Sequence, residues 1–131
     1  MKPPPKPLLL VIEDDEDTRG ILDQELSPSY QLVFARDGRE GVRAAIFHRP
    51  NLILMDLIMP AIDGISATEM IRSIKGLQYC AIVALTAAPV EYQRRALESG
   101  CDLVIQKPAH DLPGQLQRFL ASRSPGPPPT A

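Results

Sequence analysis

Two stretches of the chain carry consecutive large apolar residues and stop abruptly on acids. Leu8-Leu9-Leu10-Val11-Ile12 runs into Glu13-Asp14-Asp15, and Leu52-Ile53-Leu54-Met55 ends on Asp56. Unbroken apolar runs of this length read as strands buried on both faces of a parallel sheet, and the second is bounded by Pro50 behind and by Pro60 and Gly64 ahead. Between and after them the pattern switches period. From Glu16 it is helical, with Ile21, Leu22 and Leu26 on one face until Ser27-Pro28 stops it. Gln31 to Ala35 is a short strand. Asp37-Gly38 opens a helix that turns Val42, Ala45 and Ile46 inward and ends near His48 and Pro50. Ala67, Met70, Ile71 and Ile74 mark a third helix closed by Lys75-Gly76.

Ala81 to Leu85 is a fourth strand ending on Thr86, and Val90 to Ser99 a fourth helix stopped by Gly100. Leu103-Val104-Ile105 is a fifth strand leading into Gln106-Lys107-Pro108. Leu112, Leu116, Phe119 and Leu120 stripe the last helix. Strand and helix alternate five times, which predicts an α/β fold: a doubly wound five-stranded parallel sheet flanked by five helices. Proline then sets the boundaries. Residues 1–7 (MKPPPKP) are an extended leader, 8–122 one folded domain, and 123–131 a Pro-rich tail.

Composition narrows the function. With 131 residues, 44% of them hydrophobic, the chain is large enough to bury a core. A formal net charge of −2 gives no electrostatic case for direct nucleic-acid binding, so any DNA contact belongs to another domain or a partner. Cys80 and Cys101 have neither metal-site nor disulfide-framework spacing and read as small hydrophobes of a reduced protein. No apolar run has membrane-spanning length, and a cytoplasmic location without membrane contact is expected.

In a doubly wound sheet the strand ends converge on one edge, where such folds place their chemistry. Here that edge gathers Glu13 and Asp14, Asp56, Thr86 and Lys107. Three neighbouring carboxylates repel one another and raise one another's pKa, which calls for a hard divalent cation with oxygen ligands, Mg²⁺ above all. Lys107 adds a fixed positive charge and Thr86 a hydroxyl donor, a pair suited to a tetrahedral oxyanion bonded to Asp56. That is the equipment of phosphoryl transfer, with a carboxylate attacking in line.

Ile12-Glu13-Asp14-Asp15, Met55-Asp56 with Met59-Pro60 and Asp63-Gly64, Ala84-Leu85-Thr86-Ala87, and Lys107-Pro108 occur in one order and spacing. In that set the chain resembles the CheY-like receiver domains of two-component response regulators, over residues 8 to 122. The resemblance implies the flavodoxin-like form of the fold and a phosphorylation-dependent switch that catalyses only its own phosphorylation and dephosphorylation. It implies Asp56 as phosphoacceptor and Glu13, Asp14, Asp56 and the backbone carbonyl of Ile58 as Mg²⁺ ligands. Lys107 would bind the phosphoryl group, its bond to Pro108 being cis, and Thr86 would be the switch hydroxyl, with space kept beside it by Ala87. The implied partners are a sensor histidine kinase or histidine phosphotransfer protein and a downstream protein target, the chain itself being a monomer or weak dimer.

One position departs from the resemblance. Three residues before the lysine, where such domains carry Tyr or Phe, stands Val104, which has no ring to swing; the switch face around Thr86, Ala87 and Val104 must then signal through backbone shifts or other contacts. The apolar Ile58 and Ala88, expected to flank the pocket, predict slow water attack on the phosphoryl group. A degenerate receiver acting as a phosphorylation-independent binding module is the alternative, and the intact acids, Thr86 and Lys107 stand against it. An enzyme such as an aspartyl-phosphate phosphatase would need a second acid two residues after Asp56, where Ile58 stands. Asp15 and Asp17 read as the solvated first turn of a helix, Asp63-Gly64 as turn chemistry, and His48, His110, Arg94 and Arg95 as surface. Pro-rich ends suit interdomain linkers, whereas Met1 suits a stand-alone protein, which is the expectation.

Overall fold

The computed structural model describes residues 4–123. Five parallel strands, β1 (Leu8–Ile12), β2 (Gln31–Ala35), β3 (Leu52–Met55), β4 (Ala81–Thr86) and β5 (Leu103–Gln106), lie in the order β2-β1-β3-β4-β5. The helices between and after them are α1 (Glu16–Leu26), α2 (Gly38–His48), α3 (Gly64–Arg72), α4 (Val90–Ser99) and α5 (Leu112–Ser122). This is the doubly wound α/β sheet that the alternation predicts. The tail expected over 123–131 lies outside the described residues from 124 on.

β1, β3 and β4 form the middle of the sheet, and β3 and β4 are buried at every position because helices cover both faces. One apolar cluster joins Leu10, Ile12, Ile53, Met55, Ile82 and Ala84 to α2, α3 and α4. The opposite cluster joins Leu9, Val11, Leu52, Leu54, Val83 and Leu85 to α1 and α5. The alternation of side chains along each strand divides a continuous apolar run between two cores. No helix among the described residues is long and apolar enough to cross a membrane.

Four helices start on an aspartate whose carboxylate accepts a hydrogen bond from an N–H of the first turn: Asp15 for α1, Asp37 for α2, Asp63 for α3 and Asp111 for α5. Asp15 and Asp63 therefore do what their turn reading predicts, with a definite bond each. The Asp15 carboxyl sits below the ordinary range because the Thr18 hydroxyl and N–H both donate to it.

The inward assignment of Ile46 is corrected, and two other apolar residues of the predicted helix patterns, Ile21 and Met70, are exposed as well. Ile21 is 56% exposed, Ile46 45% and Met70 42%. Each residue turns a helix by about 100°, so Ile21, beside buried Leu22, and Ile46, beside buried Ala45, stand at the rim of their stripes. Met70 lies outside the stripe of Gly64, Ala67, Thr68 and Ile71. Ile74 also falls beyond α3, which ends at Arg72.

Arg72, the last residue of α3, is anchored through its side chain. Its guanidinium donates to the carbonyls of Gly100 (2.8 and 3.0 Å), Cys80 (2.6 Å) and Leu77 (3.3 Å) and to Asp102 (3.0 Å). One planar fork thus ties the end of α3 to the turns leading into β4 and β5.

Candidate functional site

Strand register builds the site before any side chain is considered. Ile12 pairs with Met55 across β1 and β3, so Glu13 and Asp56 leave the sheet side by side, and the Asp56 N–H donates to the Ile12 carbonyl at 3.1 Å. Thr86 pairs with Gln106 across β4 and β5, and the Lys107 N–H donates to the Thr86 carbonyl at 2.9 Å. The peptide bond between Lys107 and Pro108 is cis.

Three donors converge on the Asp56 carboxylate. The Thr86 hydroxyl donates to Oδ1 at 2.9 Å, the Ile58 N–H donates to the same oxygen at 3.1 Å, and the Lys107 ammonium donates to Oδ2 at 3.1 Å. Lys107 also donates to Glu13 Oε1 at 2.9 Å, and the Asp15 N–H to Glu13 Oε2 at 3.2 Å. Glu13 is buried, Thr86 fully so, Asp56 half-buried and Asp14 exposed. The carboxylates are thus graded from core to solvent.

This grading sets the electrostatics. Burial pushes the Glu13 carboxyl above the ordinary range, against the pull of Lys107 and the Asp15 N–H. Burial alone would lower the Lys107 ammonium, but hydrogen bonds and charge from Glu13 and Asp56 outweigh it and hold it above the usual lysine value, which favours its charged form. Carboxylate oxygens of Glu13, Asp14 and Asp56 lie within 4.8 Å of one another. Three oxygen-donor acids facing one ammonium leave an excess of negative charge, and the donor set is entirely hard. The residues present therefore fit a hard divalent cation such as Mg²⁺.

The predicted residues Glu13, Asp14, Asp56, Thr86 and Lys107 are thus brought together, and Ile58 reaches Asp56 through its backbone while its side chain faces solvent. Ala87 is exposed and lines an apolar groove of about 430 Å³ with Ile21, Leu22, Leu85, Pro108 and Leu112, which accounts for the exposure of Ile21. Val104 stands apart, half-buried against the core beneath α4, in the same cluster as Tyr92. Ala88 does not flank the pocket: it is 2% exposed within that core, and its N–H donates to the Thr86 hydroxyl oxygen at 3.2 Å. Only Ile58 of that pair has access to an incoming group.

Sequence reasoning missed three contributors. The Arg19 guanidinium donates to the Glu13 carbonyl at 2.7 Å, fixing the end of β1. Gly64 lies so close to the backbone of Asp56 and Leu57 that a Cβ would meet the Asp56 carbonyl oxygen at 2.6 Å. The Gln93 amide donates to the Ala88 carbonyl at 2.8 Å. Arg19 and Gln93 occupy first-turn helix positions that by sequence resemble any solvated residue; the glycine two places after Ile62 carried a turn signal but no hint of close approach.

Comparison with known proteins converges on one family. A family model for the response regulator receiver domain matches residues 9–117. The polar-differentiation response regulator DivK of Brucella anthropi is 29% identical over 105 residues, covering 79% of this chain and 85% of that protein. The transcriptional regulatory protein PrrA of Mycobacterium tuberculosis is 33% identical over 104 residues, which cover 78% of this chain and 44% of PrrA. Among solved structures, the receiver domain of the sensor histidine kinase PA1611 from Pseudomonas aeruginosa, with a magnesium ion coordinated in its active-site cleft, is 32% identical with a TM-score of 0.79, covering 88% of this chain and 94% of that one. The chemotaxis protein CheY4 of Vibrio cholerae is 25% identical with a TM-score of 0.80, covering 86% of this chain and 98% of that one.

Proposed function

The chain belongs to the response regulator receiver domain family of two-component systems, and from that premise we propose that Asp56 is its phosphoacceptor, taking a phosphoryl group from the phosphohistidine of a sensor kinase or histidine phosphotransfer protein. The observation that carries this reading is the convergence of Thr86, Lys107 and the Ile58 N–H on the one half-buried carboxylate. In the transfer, an Asp56 carboxylate oxygen forms a bond to phosphorus as the phosphorus–nitrogen bond of the donor breaks, and the electron pair leaves with the imidazole nitrogen. Lys107 and Thr86, already within hydrogen-bond reach of Asp56, are placed to exchange its oxygens for those of the transferred group. Glu13 holds Lys107 from the other side, so the ammonium stays at the site throughout.

Glu13, Asp14, Asp56 and the Ile58 carbonyl would hold Mg²⁺, which supplies counter-charge for the phosphoryl oxygens and the acids. The exposed Ile58 side chain stands at the approach to Asp56 and, as an apolar screen against water, favours a persistent phosphoryl group. The protein is then a cytoplasmic signalling switch, whose catalysis is confined to its own phosphorylation state and whose output is contact with a downstream protein target, acting as a monomer or weak dimer.

The test is intact-mass measurement after incubation with acetyl phosphate, with and without Mg²⁺. Wild type is expected to gain one phosphoryl group only with the metal, and Asp56→Asn none. A gain that persists in Asp56→Asn would move the acceptor elsewhere. A wild type that takes no phosphoryl group and binds no Mg²⁺ would leave only a binding module.

A further inference from the structure

The Thr86 hydroxyl is held by more than its own strand. It donates to Asp56 Oδ1 at 2.9 Å and accepts from the Ala88 N–H at 3.2 Å. Ala88 is in turn fixed at its other peptide group, since the Gln93 side-chain amide donates to the Ala88 carbonyl at 2.8 Å. A continuous line of hydrogen bonds therefore runs from α4 to the acceptor carboxylate, through a residue whose methyl group is packed in the core. We propose that Gln93 is a positioning residue for phosphoryl transfer, which sets the direction of the Thr86 hydroxyl by holding Ala88. The inference rests on the reading of Asp56 as phosphoacceptor.

Two features give Gln93 this role rather than a passive one. α4 begins at Pro89, which offers no side-chain cap and, being proline, no N–H, whereas α1, α2, α3 and α5 each start on a capping aspartate. At α5 the Gln115 amide donates in the same way to the His110 carbonyl at 2.7 Å, but beside a capping aspartate, whereas at α4 the bond from Gln93 back to Ala88 ties the start of the helix without a side-chain cap. Second, β5 (Leu103–Gln106) contains no aromatic residue, so a shift of Thr86 has none on that strand to move. The Ala88–Gln93 bond supplies a direct mechanical link instead: displacement of the Thr86 hydroxyl toward a phosphoryl oxygen draws on the Ala88 N–H, and the Ala88 carbonyl draws on α4. Gln93 then serves both the geometry of transfer and the delivery of the signal to α4.

Gln93 is half-buried, so substitutions there leave the core intact. Gln93→Glu keeps the shape but replaces the donor with an acceptor facing a carbonyl, and Gln93→Met removes the donor without adding charge. Each is made in wild type and in Thr86→Ala, and the Mg²⁺-dependent rate of phosphorylation by acetyl phosphate is followed by intact mass. Both variants are expected to slow wild type by about three- to tenfold, the worth of one net hydrogen bond, and to leave the Thr86→Ala rate unchanged within twofold, because the link then has nothing to position. Equal rates for wild type and Gln93→Met overturn the inference, as does the same slowing in the Thr86→Ala background, which would mark a merely structural role. Slowing by Glu but not by Met would assign the effect to charge and likewise overturn it. Wild type that takes up no phosphoryl group, or takes it up in Asp56→Asn, sinks the phosphoacceptor reading and this inference with it; normal uptake at Asp56 with unaffected variants sinks the inference alone.

Discussion

Gly20→Ala and Gly64→Ala are the same chemical change in two helices, and the surroundings predict opposite signs. At Gly20, an exposed position of α1, a new Cβ meets nothing within 4 Å. The substitution removes the entropic penalty of a helical glycine, so stability rises by about 0.5–1 kcal/mol. At Gly64, the first residue of α3, the Cβ would stand 2.6 Å from the Asp56 carbonyl oxygen, 2.6 Å from Leu57 Cα and 3.1 Å from Leu57 Cδ2. Two of these neighbours are backbone, and ordinary contact begins at 3.4 Å, so the loop after β3 must open by about 0.8 Å. That movement strains the Gly64 N–H to Leu57 carbonyl bond of 2.8 Å that closes the loop.

Overpacking of this kind costs about 1–3 kcal/mol, against a helix-propensity gain of less than about 1 kcal/mol. The net loss of up to about 2 kcal/mol lowers the melting temperature by up to roughly 10 °C, whereas Gly20→Ala raises it by roughly 2–5 °C. The assay is thermal and urea unfolding followed by circular dichroism, with the acetyl phosphate rate measured on the same samples. Because the displaced backbone belongs to Asp56 itself, Gly64→Ala should also slow phosphorylation, while Gly20→Ala should not change it. A Gly64→Ala protein that melts at or above the wild-type temperature would refute the reasoning, since propensity would then outweigh the close approach.

Two further outcomes follow from local geometry. Ala61, in the exposed loop between Asp56 and α3, has φ +67°, a left-handed conformation that costs a residue with a Cβ about 1–2 kcal/mol; Ala61→Gly should therefore raise the urea midpoint, and an unchanged or lower midpoint would mean that unfolded-state entropy cancels the relief. The Cys80 and Cys101 thiols are both raised by burial, so their thiolates form only above the ordinary thiol range: alkylation by iodoacetamide near pH 8.5 should be slower in the native protein than in urea, slowest at the more buried Cys101, and the stability owed to the protonated thiols should fade as pH rises toward their shifted values. Native and denatured rates that coincide, read peptide by peptide in a mass spectrometer, would contradict that burial.

Much of the architecture is legible along the chain because the strong signals are local. Five apolar runs ending in turns give five strands, and Ser27-Pro28, Asp37-Gly38 and Gly100 mark helix ends, whereas Lys75-Gly76 lies beyond the end of α3 at Arg72. What fails is the finer facing of the helices. Ile21, Ile46 and Met70 are apolar at plausible spacings, yet a helix turns about 100° per residue, and the centre of each buried stripe depends on which sheet face and which neighbouring helix it meets. The expectation that Ala88 flanks the pocket rests on the resemblance: its position after Thr86 is visible in sequence, but the turn that sends its methyl group into the core is not.

The chemistry divides along the same line. Identity and order of the strand-end residues determine that Glu13, Asp14, Asp56, Thr86 and Lys107 reach one edge, because a parallel sheet brings all its strand ends together. Sequence alone could not decide which oxygen of Asp56 faces which donor, how deeply each acid is buried, or that Glu13 and Asp56 share one ammonium. Those facts depend on strand register and side-chain rotamer, which are fixed by packing between residues far apart in the chain. Gln93 and Gly64 belong wholly to this second class. Each acts through a contact with backbone, the Ala88 carbonyl for one and the Asp56 and Leu57 main chain for the other, and backbone looks the same in every sequence until the tertiary fold brings it within reach.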